Sequence, residues 1–197
     1  MKSILGLYSI CITYSVIRYI VFAPKNIEHL PIFIVNKGWS MAAALSFVFG
    51  FFQQMRKDRG ATLSVEPSAW FRAGVYGSIA HIPMSLAILR PGYFKEFFIA
   101  DGARMSFYGE MVFLFGGITA ACVYLLTRTH WTPILRWRLS LLTMLTLATH
   151  VTFMGICRGL NINKSHAYMP PMWLLSLIGV ALGLWWLVRS KPTNDNI

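Results

Sequence analysis

The chain has few charged residues and no recognisable catalytic signature. Charged side chains make up 13% of its 197 residues, and only 7 of these are acidic; a soluble domain carries about 25% charged residues. The three cysteines form no CxxC pair and no disulfide framework. A GxSxG elbow, a P-loop, an HExxH pair and a dinucleotide fingerprint are all missing. These absences argue against a soluble domain, a self-contained hydrolase, an ATPase or a nicotinamide-binding enzyme.

Long apolar runs take the place of these features. Hydrophobic residues make up 56% of the chain, and about 20 consecutive apolar residues cross the hydrocarbon core as one helix. Six such blocks are present, at residues 4–22, 38–55, 73–89, 105–126, 139–157 and 170–188. Backbone groups inside a bilayer must be satisfied within the segment. The sequence therefore predicts an all-α integral membrane protein, with a six-transmembrane-helix bundle over residues 1–189 and a polar tail at 190–197.

The net charge of +11 does not indicate a nucleic-acid partner. Lysine and arginine are scattered among the ends of the blocks and the loops, and they form no basic stripe with interleaved aromatic residues. Cations at the ends of apolar segments are typical flanks of membrane spans, and their bias favours the side that carries both termini. We therefore expect a protein of the plasma (inner) membrane, with both termini in the cytoplasm and the bilayer as its main partner.

Two histidines lie inside predicted spans, His81 in the third and His150 in the fifth. Ionisable residues within a bilayer are costly, so each is a candidate site. Counted from Trp70 and from Leu139, each is close to the twelfth residue of its span. The two spans run in the same direction, which predicts a similar depth near the midplane. Such a pair can ligate haem iron, or each ring can simply hydrogen-bond a neighbouring helix. Nearby small residues fit either a flat cofactor or close helix packing: Gly74, Gly77, Ser78 and Ala80.

Three further polar residues are catalytic candidates on the outer side: Glu110, Arg158 and His166. They could supply general acid/base and anion-holding groups in a site that opens outward. Glu110 lies early in the fourth span, where Arg104 or Arg158 can pair with it. Arg18, near the outer end of the first span, is expected to snorkel to the interface.

The span count, His81, His150 and the basic RWR sequence at residues 136–138 resemble the ferric reductase-like transmembrane domain. The resemblance covers roughly residues 38–188. That superfamily includes the haem-binding membrane subunit of a bacterial methionine sulfoxide reductase. Family members carry further haem ligands at positions that correspond to Phe94 and Asn163 in this chain.

The resemblance thus implies a single b-type haem, with His81 and His150 as the ligands of its iron, and no flavin or nicotinamide site. A membrane or periplasmic redox partner, or a quinone, would then exchange electrons with this chain. If the chain belongs to an enzyme, it is an oxidoreductase component.

Two other functions stay open beside the electron-transfer subunit. One is a haem-free accessory or assembly subunit of a membrane complex. The other is a haem-free membrane enzyme whose outward-facing polar site contains Glu110, Arg158 and His166. The depth of the two intramembrane histidines is the sequence feature that favours the electron-transfer subunit.

Overall fold

A computed structural model describes residues 1–22, 32–99, 102, 104–127, 131–156 and 169–191. This part of the chain forms six α-helices: α1 (Lys2–Val16), α2 (Phe33–Asp58), α3 (Pro67–Ala87), α4 (Phe107–Leu126), α5 (Pro133–Ile156) and α6 (Met172–Arg189). A π-helical turn, Ile17–Val21, continues α1. Between α3 and α4, a 3₁₀ turn (Lys95–Phe97) precedes two short antiparallel strands, β1 (Phe98–Ile99) and β2 (Arg104–Met105).

Five of the six helices are long and apolar enough to cross a membrane, as expected of a membrane protein. The exception is α3, which has 21 residues and is therefore long enough for a span. Arg72 and His81 lower its hydropathy. The predicted all-helical class is confirmed, apart from the two short strands.

Large apolar side chains cover the outer faces of the helices. Ile79 on α3, Leu114 on α4 and Ile178 on α6 are each at least half exposed, at 60%, 50% and 51%. Apolar surface of this extent is rare on a soluble monomer and typical of a surface that contacts lipid. These faces are the ones that we expect to contact the acyl chains.

Several helices begin earlier than the apolar blocks predicted. The second begins at Phe33 instead of residue 38, and the third and fifth begin at Pro67 and Pro133. Proline is well suited to the first turn of a helix, because its fixed φ is already helical and its missing N–H needs no partner there. Because α2 begins earlier than predicted, Asn36 lies inside this helix and is buried, although the sequence placed it in a loop.

The helices pack as an arc in the order α3, α2, α6, α5, α4, with α1 also against α2. The middle of the arc is filled by buried apolar side chains of α2, α5 and α6, among them Phe47, Val48, Met144 and Val180. The ends of the arc, α3 and α4, approach each other but make few contacts, and the described parts of α3 and α5 barely touch. α3 therefore has few backbone contacts with the α4–α5 pair.

The connection between α3 and α4 packs against the end of α3 and the start of α4. The rings of Phe94 and Phe97 stack with their centroids 5.3 Å apart, and both are buried together with Ile88 and Val112. Ser106 is the N-cap of α4, and its hydroxyl accepts a backbone N–H of the first turn at 3.3 Å. We call the cluster of Ile88, Phe94, Phe97 and Val112 the aromatic cap. It joins the end of α3 to the start of α4.

The expectation that Arg18 snorkels is wrong. Its side chain is buried, 4% exposed, and it donates a hydrogen bond to the backbone carbonyl of Met169. The Tyr14 hydroxyl donates to the next carbonyl, that of Pro170, at 2.6 Å. The end of the first helical segment thus holds the chain that leads into α6.

Candidate cofactor site

His81 is held by a buried side chain of the neighbouring helix. Its Nδ1 atom lies 2.7 Å from the Oδ1 atom of Asn36, and the Asn36 amide donates to the Ser85 hydroxyl at 3.0 Å. The Ser85 Oγ atom also lies 3.2 and 3.3 Å from the two ring nitrogens of His81, which is longer than the Asn36 contact. An amide oxygen only accepts, so in this arrangement the Nδ1 atom carries the proton and Nε2 keeps a lone pair.

His150 is held in the same way, by the backbone of α4. Its Nδ1 atom lies 2.9 Å from the carbonyl oxygen of Val112, which again requires an N–H at that nitrogen and leaves a lone pair on Nε2. The ring lies against Gly116, where a Cβ atom would be 3.0 Å from Nδ1 and 3.1 Å from Cε1. A glycine at this position therefore gives the imidazole the room to reach the carbonyl.

The structure places the two histidines on α3 and α5. His81 comes six residues before Ala87, where α3 ends, and is therefore about 9 Å from that helix end. His150 lies in the second half of α5. Both rings are partly buried. His150 contacts the aromatic cap through the Val112 carbonyl, because Val112 belongs to that cluster.

Two of the small residues on α3, Gly74 and Gly77, serve helix packing. A Cβ atom at Gly74 would lie 3.0 Å from the Phe47 ring, and one at Gly77 would lie 2.8 Å from the Cβ of Ala43 and collide with the Tyr8 hydroxyl. Both glycines therefore face α2 and α1. Close backbone approach at glycine is the usual basis of helix association in membranes.

Of the three outer candidates, only Glu110 lies within the described residues. Glu110 is exposed in the first turn of α4, where a negative charge complements the helix N-terminus. Within the described residues no cation forms an ion pair with it, and Arg104 belongs to β2. Arg158 and His166 lie outside the described residues. Phe94, at a position where the resembled family has a ligand, is packed in the aromatic cap.

Sequence reasoning missed the groups that orient the two histidines, which are Asn36, Ser85, the Val112 carbonyl and Gly116. Ser85 follows His81 by four residues, a spacing that puts both on one helix face, so it was detectable. The pair of glycines in the fourth span was a second signal. Asn36 was hidden because its helix was predicted to begin two residues later.

The donor set fits haem better than a bare metal ion. The described part of the chain contains no group of three or more histidine, cysteine, aspartate or glutamate side chains that could hold a metal ion, and zinc needs at least three protein ligands. Haem iron already has four nitrogens from the macrocycle and takes only its axial ligands from the protein. His81 and His150 match that requirement in number and type.

The sequence matches no protein-family model and no curated protein. The likeness to the ferric reductase-like domain consequently depends on the features quoted above. The geometry around His81 and His150 is the stronger basis for a function.

Proposed function

We propose that this protein is a membrane electron-transfer subunit for one b-type haem, whose iron would be held by His81 on α3 and His150 on α5. The carrying observation is that each ring is anchored through its Nδ1 atom by an acceptor on another helix, Asn36 Oδ1 or the Val112 carbonyl. Histidines that bind metals almost always donate their other N–H to such an acceptor. This pattern leaves the lone pair of each ring on Nε2, the atom that would face iron; at His81 the Ser85 hydroxyl lies 3.3 Å from that atom.

The surroundings support the same proposal. Few backbone contacts join α3 to α4 and α5, and the buried aromatic cap packs beside them, between the end of α3 and the start of α4. An apolar shell around a redox centre limits access of water and contributes to its potential. Bound haem would supply a one-electron couple, while the role of the chain is to present two neutral imidazoles and to shield them.

We include α3 as the sixth span. His81 satisfies its Nδ1 hydrogen bond within the bundle, which reduces the cost of a polar residue in lipid. Arg72 lies in the second turn of α3, near the end where a long cationic side chain reaches the interface. The orientation proposed is the one with both termini in the cytoplasm, in the inner membrane.

The proposed partners follow from the absence of a nucleotide fingerprint in the sequence. Electrons would reach the chain from a membrane or periplasmic redox protein, or from a quinone, and leave to an acceptor of the same kind. The chain would then be the haem-carrying component of an oxidoreductase, without a nicotinamide site of its own.

The test is an absorption spectrum of the detergent-purified protein after haem-replete expression, oxidised and then reduced with dithionite. We expect a Soret band and sharpened reduced bands in the wild type. His81→Ala and His150→Ala should each lose most of the haem, and added imidazole should restore part of the band by replacing the missing ligand.

Ile82→Ala and Thr149→Ala serve as controls, because each changes a neighbour of a histidine without touching its ring contacts. Both should keep the wild-type spectrum. A wild type without a Soret band, or a band that survives in both histidine variants, would overturn the proposal.

A further inference from the structure

We infer that Asn36 is a positioning residue that fixes the tautomer and ring orientation of His81 and thereby tunes the redox potential of the site. The inference rests on the proposed haem function and goes beyond it. Asn36 belongs to α2, whereas the ligand belongs to α3. It would act through His81, because the contact runs from the amide oxygen to the Nδ1 atom, on the opposite side of the ring from Nε2.

The two histidines are oriented by different kinds of group. His150 donates to a backbone carbonyl of α4, which no side-chain substitution removes. His81 donates to a side chain. The acceptor for His81 can therefore be changed by a substitution at Asn36, whereas the acceptor for His150 cannot be changed in this way. Hydrogen bonding to an axial histidine changes its basicity, and with it the potential of the iron.

Asn36 is itself held in place, which a positioning residue requires. The residue is 4% exposed, and its amide nitrogen donates to Ser85 at 3.0 Å. A buried amide that loses a partner is costly, so the Asn36 side chain strongly prefers this orientation. Asn36, His81 and Ser85 form a closed polar triangle between α2 and α3.

Redox titration of purified variants gives the first test. Asn36→Leu removes the acceptor at similar volume, so we expect a more positive midpoint potential and a haem affinity about tenfold lower. Asn36→Asp places a carboxylate opposite the same N–H, which gives the imidazole more anionic character. The ring would then donate more electron density to the iron, so the midpoint potential should shift in the negative direction. Ser85→Ala frees the Asn36 amide and should give a smaller shift of the same sign as Asn36→Leu.

Ser78→Ala is the matched control for Ser85→Ala. Ser78 lies on the same helix, and its hydroxyl donates to the carbonyl of Gly74 in the preceding turn at 2.9 Å. Its removal should leave the potential unchanged. A merely structural role for Asn36 would shift both Asn36 variants in one direction, or neither, and that result would overturn the inference.

A second readout does not need haem. In the haem-free protein, nitrogen NMR of labelled histidines should show His81 as the Nδ1–H tautomer in the wild type and as a mixture in Asn36→Leu. The His150 signal should stay the same in both, since its acceptor is unchanged. A wild-type His81 protonated at Nε2 would refute the positioning role, whereas a colourless protein with the expected tautomers would refute only the haem proposal.

Discussion

Gly116 lies directly against the imidazole of His150. A Cβ atom at this position would come within 3.0 Å of the ring Nδ1 atom, the same atom that donates to Val112 at 2.9 Å. Such a contact is tighter than most, so the ring would have to shift by a few tenths of an ångström. The orientation of an α5 side chain thus depends on the absence of a side chain on α4.

The first prediction concerns the substitution Gly116→Ala. We expect the added methyl group to tilt the His150 ring away from the Val112 carbonyl and to weaken haem retention about tenfold, the lower end of the range for altered ligand orientation. Haem titration of the purified variant, followed at the Soret band, measures the change. The helix itself should gain stability, because alanine favours a helix interior by up to about 1 kcal/mol over glycine.

Gly117→Ala is the control for that experiment. An added Cβ at Gly117 meets no atom within 4 Å, and the gain in helix propensity is the same. Equal haem affinity in the two variants would show that Gly116 does not control the position of the His150 ring.

The helices and the two histidines inside them could be predicted from sequence, whereas the acceptors on other helices that hold the histidines could not. Apolar blocks of span length and isolated imidazoles are local signals, visible in one segment at a time. The contact of His81 with Asn36 joins residues 45 positions apart, and that of His150 with Val112 joins residues 38 positions apart. Such pairs depend on which helix faces meet, and the apolar pattern of a membrane helix carries little information about its inward face.

Small residues illustrate the same limit. The pattern around His81 fitted both a cofactor and helix packing, and the neighbours decide between them: Gly74 and Gly77 contact α2 and α1. The glycine that does give room to a candidate ligand, Gly116, lies on another helix altogether. A short distance in sequence between a glycine and a histidine therefore did not predict which glycine lies against the imidazole ring.

The second prediction concerns the packing of α1 on α2. A Cβ atom at Gly38 would lie 2.7 Å from the Cα of Ile12 and 2.8 Å from the backbone oxygen of Cys11, and backbone atoms cannot move aside as a flexible side chain can. We expect Gly38→Ala to destabilise the protein by about 1–3 kcal/mol, the usual cost of overpacking. Thermal unfolding in detergent, followed by circular dichroism, measures the effect.

Gly6→Ala provides the comparison on α1, since no atom lies within 4 Å of its added Cβ. It should leave the unfolding temperature unchanged or raise it through helix propensity. If Gly38→Ala is also neutral, the close approach of α1 and α2 is not needed for stability.

The third prediction concerns a hydrogen bond between α4 and α5. The Thr119 hydroxyl lies 3.0 Å from that of Thr146, but each hydroxyl also bonds a carbonyl of its own helix, Phe115 at 2.7 Å for Thr119 and Leu142 at 3.0 Å for Thr146. Because these internal partners remain when the contact is lost, the contact should contribute little. A double-mutant cycle with Thr119→Val and Thr146→Val should give a coupling of about 0.6 kcal/mol, the average for such bonds in membrane proteins.

Thr149→Val tests what the loss of a hydroxyl does on its own. Its hydroxyl donates to the Leu145 carbonyl of the same helix at 2.9 Å, so its combination with Thr119→Val should be additive within about 0.5 kcal/mol. The free energies come from reversible unfolding in mixed detergent micelles. A Thr119–Thr146 coupling above about 1.7 kcal/mol, the largest seen for such pairs, would mean that this single bond carries much of the α4–α5 interface. The contacts of Gly116 and Val112 with the His150 ring would then contribute less to the position of that ring than their short distances indicate.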